Sequence, residues 1–300
     1  MPNTSLSKLL FIVNPASGSN KTDWNKLISD YMKSLNISFE LFSMPQSCST
    51  KEIKQKVDEY KPDRVVAVGG DGTVKLVAES LLGSNIPLGI LPAGSANGMA
   101  KEFKIPEDAQ NALAVISSGE VRKIHMVKVN EHYCIHLSDI GFNAFLVKKF
   151  EDGNSRGFWG YFKAAVKVLI QKRVMQLELK LNGEIIKKEA AMVVIANATK
   201  FGTGAVINPD GKLNDANFEV VVVKKISVAE IFKMMVTHAP YNRKKTEVFQ
   251  TDSLNINSKK KFHFQVDGEY CDKLNKVTAS IVKNAIEVIV PTGDEIKSLV

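Results

Sequence analysis

Apolar and polar positions follow two different rhythms along the chain, and the change falls near Val121. Before it, short apolar runs are each followed by a stretch with helical spacing. Leu9–Val13 reads as a strand, and Thr22 stands where it can cap a helix. The apolar positions of that helix, Trp24, Leu27, Ile28, Tyr31 and Met32, keep i, i+3, i+4, i+7, i+8 spacing. A short strand near Ser38–Phe42 comes next. Ser49-Thr50-Lys51-Glu52 then forms a capping box ahead of Ile53, Val57 and Tyr60, and Pro62 stops the helix. Val65–Val68, three of its four residues β-branched, predicts a strand buried on both faces. Apolar spacing resumes at Val74, Val77, Ala78, Leu81 and Leu82. Pro87–Leu91 is a further strand, and Pro106-Glu107-Asp108 opens a helix closed by Gly119. Repeated βα units predict a parallel sheet with helices on both faces.

After Val121 the helical spacing thins out. Val127–Asn130 and Tyr133–Leu137 read as strands around Glu131-His132. Gln176–Leu181 and Glu184–Lys187 flank Asn182-Gly183, a type I′ hairpin signal. Phe218–Val223, Leu254–Ile256, Phe262–Val266 and Ile286–Val290 are further strands. Helices are expected at Phe158–Arg173 and Val228–His238. Antiparallel β after a βα half predicts a second domain. The apolar face of the first of these helices (Phe158, Trp159, Tyr161, Phe162, Val166, Leu169) is expected to turn toward a core, with contact to a membrane as the alternative. Lys259-Lys260-Lys261 reads as a solvated turn.

Composition narrows the class. The 300 residues are 44% hydrophobic and 24% charged, which is that of a folded globular protein. No apolar run approaches the length of a membrane span or a signal-peptide core, so a cytoplasmic protein is expected. Cys48, Cys134 and Cys271 lack metal-ligand spacing, and no disulfide is expected. His132, His136, His238 and His263 show no such spacing either. The formal net charge of +8 suits an anionic partner: a nucleotide, a nucleic acid or an acidic membrane surface.

Three loops of the first half follow strands: Asn14–Ser19, Gly69–Thr73 and Pro92–Gly98. In a parallel sheet such loops open at the carboxyl edge, where ligands bind. Glycines let a backbone approach phosphate, and a following helix N-terminus adds positive potential. Asp71 among the glycines would repel a polyphosphate unless a cation lies between them, which points to nucleotide phosphate with Mg²⁺. The bland alternative for Gly69-Gly70-Asp71-Gly72 is a left-handed turn with an Asx-type cap. Walker A spacing fails at Asn20, and a dinucleotide fingerprint fails at Ile207.

Together the motifs resemble the diacylglycerol kinase catalytic-domain superfamily, which includes bacterial soluble lipid kinases and sphingosine and ceramide kinases. The resemblance runs through Asn14-Pro15 with Ser17-Gly18, Gly69-Gly70-Asp71-Gly72-Thr73 and Leu91-Pro92-Ala93-Gly94-Ser95-Ala96-Asn97. It continues with Gly141-Phe142-Asn143-Ala144, Pro209 through Leu213-Asn214-Asp215, and Gln265-Val266-Asp267-Gly268-Glu269. It implies an α/β nucleotide-binding domain (1–123) of the NAD-kinase/diacylglycerol-kinase type. A β-rich sandwich domain for the lipid (124–290) would follow, then a C-terminal segment (291–300) returning to the first domain. ATP and the lipid headgroup would meet between the domains.

The activity implied is transfer of the ATP γ-phosphate to a hydroxyl of a diacylglycerol-like or sphingoid-like lipid, with Mg²⁺, at a membrane surface. Asn14, Ser17, Ser43, Gly69, Gly70, Gly72, Thr73 and Ser95 would hold the nucleotide. Asp71 would manage the metal, with Asp215 as a second metal residue. Asp267 would be the base, and Glu269 would position it or a metal. No nucleic-acid partner is implied, and there is room for a homodimer. His125 stands about where several bacterial members carry an aspartate of an accessory magnesium network, and Ala216 replaces a common glycine. Two rivals share parts of this pattern. An NAD kinase accounts for Gly69–Thr73 but leaves Pro92–Asn97 and Asp267–Glu269 without counterparts. A non-catalytic nucleotide- or lipid-binding protein has no use for a base.

Overall fold

The computed structural model describes residues 8–18, 22–151, 174–199, 207–208, 216–226 and 242–293. The helices expected over 158–173 and 228–238, and Asp215, lie outside these residues. The chain divides into two compact units: Met1–Ile124 with Asn284–Val300, and His125–Lys283.

The first unit holds β1 (Lys8–Val13), α1 (Trp24–Ser34), β2 (Ser38–Ser43), α2 (Thr50–Tyr60), β3 (Arg64–Gly69), α3 (Asp71–Ser80), β4 (Leu88–Pro92), α4 (Gly98–Glu102) and α5 (Ala109–Ser118). Its strands pair in parallel in the order β4-β3-β1-β2. The core is the one that the apolar runs predict. Leu9–Ile12, Val65–Ala67, Leu88 and Leu91 are fully buried, and Ile28, Met32, Ile53, Val77, Leu113 and Ile116 cover them from the helices. Each such side chain contributes about 1.5–3 kcal/mol of transfer free energy. The Ser49–Glu52 capping box forms with both of its hydrogen bonds. Helix α1, however, is capped by Asp23 rather than Thr22: the Asp23 carboxylate accepts the Lys26 N–H at 3.1 Å.

The chain continues through β5 (Glu120–Val129), which begins in the first unit and ends in the second. There follow β6 (His132–Cys134), β7 (Leu137–Gly141), α6 (Phe142–Glu151), β8 (Met175–Leu181), β9 (Glu184–Ala190), β10 (Met192–Ala196), β11 (Phe218–Val223), β12 (Thr246–Thr251), β13 (Ser253–Val266) and β14 (Glu269–Val290). Pairing is antiparallel along β12-β11-β10-β7-β13-β14, while β8 joins the first part of β13 and carries β9. A core of Leu177, Leu179, Val193, Ile195, Val220, Val222 and Phe264 fills one side. Leu137, Val194, Ala196 and Val221 form a second cluster. Strand β10 is therefore buried on both faces.

Several elements differ from expectation. The two strands expected at Leu254–Ile256 and Phe262–Val266 are one strand, β13, with an irregularity between Asn257 and Phe262. Lys259–Lys261 lie exposed inside it, not in a turn, because a bulge absorbs residues without ending a strand. The strand expected at Ile286–Val290 is the end of a 22-residue strand, β14. The return to the first unit begins within β14, at Asn284, and Val288 pairs in parallel with Leu88. Among the described residues, no helix is long and apolar enough to cross a membrane.

Candidate functional site

The loops after β1, β3 and β4 are tied to one another at the carboxyl edge of the parallel sheet. Asn14, following β1, donates from Nδ2 to Oγ1 of Thr73 at 3.0 Å, while its Oδ1 accepts the Ala16 N–H. Thr73 is buried on the first turn of α3. Asp71 reaches across to the next loop: Oδ2 accepts the Gly98 N–H and Oδ1 the Met99 N–H, each at 3.0 Å. The carboxylate therefore caps α4, whose own N-cap residue, Asn97, makes no side-chain cap. Asn97 turns back instead, exchanging two hydrogen bonds of 2.9 Å with the backbone of Gly94. Gly94 and Gly70 nearly touch, since a Cβ on Gly94 would lie 2.4 Å from the Gly70 Cα. Gly69 ends β3, where its carbonyl accepts the Ala93 N–H at 3.0 Å.

None of Gly69, Gly70 and Gly72 has positive φ, so the left-handed turn is not what these glycines serve. Close approach explains Gly70. Gly72 is exposed, and a Cβ there would meet nothing within 4 Å. The N-cap residue of α3 is Gly70, which has no side chain to accept from the N–H groups of the first turn. Ser17 is half-buried, and Ser43 and Ser95 are exposed at the same carboxyl edge.

In the second unit Asp267 and Gly268 form the two-residue turn between β13 and β14, with φ of 51° and 85°, and Val266 pairs with Glu269. Two positive φ values define the type I′ turn that suits the strand twist, and glycine serves it at the second position. Asn182-Gly183 does the same between β8 and β9. The Asp267 turn has a further feature. The Asp267 carboxylate gathers the β6–β7 connection: Oδ1 accepts from the N–H groups of His136 (2.9 Å) and Leu137 (3.1 Å) and from Cys134 Sγ (3.3 Å). Among the described residues Oδ2 accepts the Ile135 N–H alone, at 3.1 Å, and keeps a lone pair to spare. Glu269 is exposed beside the turn.

Behind this turn lies a residue that the sequence reading passed over. Asp139, on β7, is fully buried, and burial pushes its carboxyl up to about 6, against the opposing hydrogen bonds from Asn143, Gln265 and the Ala144 amide. Its place between Leu137 and Ile140 was the available signal, because an acid on a buried strand needs partners.

Among the described residues no group of three or more His, Cys, Asp or Glu side chains could hold a metal ion, and Asp215 is not among those residues. A nucleotide-borne Mg²⁺ asks less: one or two carboxylates, with phosphate and water supplying the other ligands. Among the described residues each Asp71 oxygen has one N–H partner and so keeps a lone pair, and the space beside Gly72 is open. The residues fit such an ion. His125, at the accessory position, is buried, and its carbonyl accepts from Asn197 at 2.9 Å.

The diacylglycerol kinase catalytic domain model matches residues 8–129, and the YegS C-terminal NAD kinase beta sandwich-like domain model matches residues 140–290. The chain belongs to the diacylglycerol kinase family. It is a lipid kinase, built as the family's α/β domain followed by its β-rich domain. A diacylglycerol kinase of Staphylococcus haemolyticus (strain JCSC1435) is 27% identical over 239 residues, 76% of this chain and 71% of that protein. The crystal structure of a diacylglycerol kinase from Bacillus anthracis strain Sterne superposes with a TM-score of 0.72 at 19% identity, covering 96% of this kinase and 98% of that chain. An NAD kinase from Archaeoglobus fulgidus in complex with ATP gives a TM-score of 0.55 at 15% identity, covering 97% and 96%. The two structures share the fold of this kinase.

Proposed function

We propose that this kinase transfers the γ-phosphate of ATP to a hydroxyl of a diacylglycerol-like or sphingoid-like lipid. The observation that carries the reading is the uncapped start of α3, with open space at Gly72 beside Asp71. Phosphate oxygens would accept from the first-turn N–H groups, and Asn14, Ser17, Ser43, Thr73 and Ser95 would contact the rest of the nucleotide. Asp71 would hold Mg²⁺, with Asp215 as a second metal residue, and the ion would neutralise charge on the β- and γ-phosphates. Asp267 Oδ2 would take the proton of the lipid hydroxyl as its oxygen bonds to the γ-phosphorus and the bond to ADP breaks. Glu269 would orient the substrate or the base. The basic balance of +8 supports work at an anionic membrane surface.

The test is transfer of label from [γ-³²P]ATP to a total lipid extract, with the product identified. A labelled phospholipid is expected. Labelling of NAD alone, or nucleotide binding with no transfer to any lipid, overturns the reading. Asp267→Asn should lower kcat by roughly 10²–10⁴-fold with little change in ATP affinity.

A further inference from the structure

Asp139 and Gln265 are directly opposed across β7 and β13. Gln265 Nε2 donates to Asp139 Oδ2 at 2.5 Å, and Asn143 Nδ2 donates to the same oxygen at 2.6 Å. On its other side, Gln265 Oε1 accepts the Gly268 N–H at 2.7 Å. The backbone of Gln265 is held as well, since its carbonyl accepts from Ser138 Oγ at 2.7 Å. A side-chain amide can bind either way round, and what lies on its two sides decides the orientation. An ionised carboxylate only accepts, so Asp139 draws the NH₂ group of Gln265 and leaves its oxygen facing Gly268. With the amide reversed, NH₂ would confront the Gly268 N–H, and the turn would lose its tether.

We propose that Asp139 is a positioning residue: it sets the direction of the Gln265 amide, which holds Gly268 and thereby the adjacent Asp267 carboxylate. The turn is then gripped at both residues, Gly268 by Gln265 and Asp267 by the amides of residues 135–137. The proposal rests on the reading of Asp267 as the base.

Two quantities test it in the full-length protein: hydrogen exchange of the peptide that contains Gly268, and kcat against KM for ATP on the identified lipid. Gln265→Met keeps the length of the side chain and removes the acceptor. Asp139→Leu removes the group that orients the amide. Each should speed exchange at the Gly268 turn about tenfold and lower kcat about tenfold, with KM for ATP unchanged within about twofold. Asp139→Asn can present its oxygen in place of Oδ2, so it should keep kcat within about threefold of the wild type. Should Asp139→Leu fail to fold, Gln265→Met and Asp139→Asn carry the test between them. Unchanged exchange in Gln265→Met overturns the proposal. So does faster exchange with wild-type kcat, and Asp267→Asn then separates the two possible faults. If Asp267→Asn is inactive, only the positioning role has failed; if it keeps full kcat, the assignment of the base has failed.

Discussion

The carboxylate of Asp71 accepts the backbone N–H of Gly98 at 3.0 Å, so the residue between Gly70 and Gly72 also starts the helix of the neighbouring loop. Asn at position 71 would offer one oxygen where Gly98 and Met99 need two. Asp71→Asn is therefore expected to lower the transfer rate at least a hundredfold, about 3 kcal/mol of transition-state stabilisation. It should also cost about 1 kcal/mol of stability, the usual worth of a helix cap. Urea denaturation and kinetics at several Mg²⁺ concentrations check both. A variant with half the wild-type rate removes Asp71 from the metal site.

Gly72 and Gly94 should part company when each becomes alanine. Gly72→Ala meets nothing within 4 Å, and stability should change by less than about 0.5 kcal/mol. Its ATP affinity should fall, because the methyl group enters the space proposed for the phosphates. Gly94→Ala drives Cβ against the Gly70 backbone and should destabilise by about 1–3 kcal/mol. Titration with ATP beside a denaturation curve distinguishes them, and wild-type ATP affinity in Gly72→Ala would place the phosphates elsewhere.

Asp139 makes stability depend on pH. Its folded carboxyl titrates near 6, above the unfolded value of about 4. A raised acid stabilises the fold fully below the unfolded value, and that contribution is lost as pH rises through the folded one. The shift corresponds to about 3 kcal/mol as an order of magnitude. Asp139→Asn does not titrate, so its stability relative to the wild type should grow between pH 4.5 and pH 8. A difference that stays flat over that range would mean the acid is not neutralised there.

Vesicle co-sedimentation should rise with the fraction of anionic lipid and fall as salt screens the charge. Equal binding to neutral and anionic vesicles at every ionic strength would remove the electrostatic part of the membrane reading.

The first unit was legible because its signals are local. Apolar runs, the Ser49 capping box and the loop glycines each lie within a few residues of what they determine. The second unit was less so. Most of β14 before Ile286 is a polar ribbon, with Asp272, Lys273, Asn275 and Lys276 exposed, and its strand character comes from pairing with β13 across the Asp267-Gly268 turn rather than from an apolar pattern of its own. Strand β10, buried on both faces, has no alternation to betray it. At the site, residue types were readable but their grips were not. Asp71 on Gly98, Asp267 on residues 135–137 and Asp139 on Gln265 are all contacts that only the fold creates.

The shared strand β14 has a consequence for synthesis. While the ribosome makes residues 125–283, Leu88–Pro92 has β3 on one side and still lacks the pairing that Val288 will bring to the other. At about 5–20 residues per second that interval lasts roughly 8–30 s, during which β4 presents an open edge to any extended segment nearby. The first unit, although translated first, is completed only after the second has emerged, and premature termination before Asn284 would leave a chain with a permanently adhesive sheet edge.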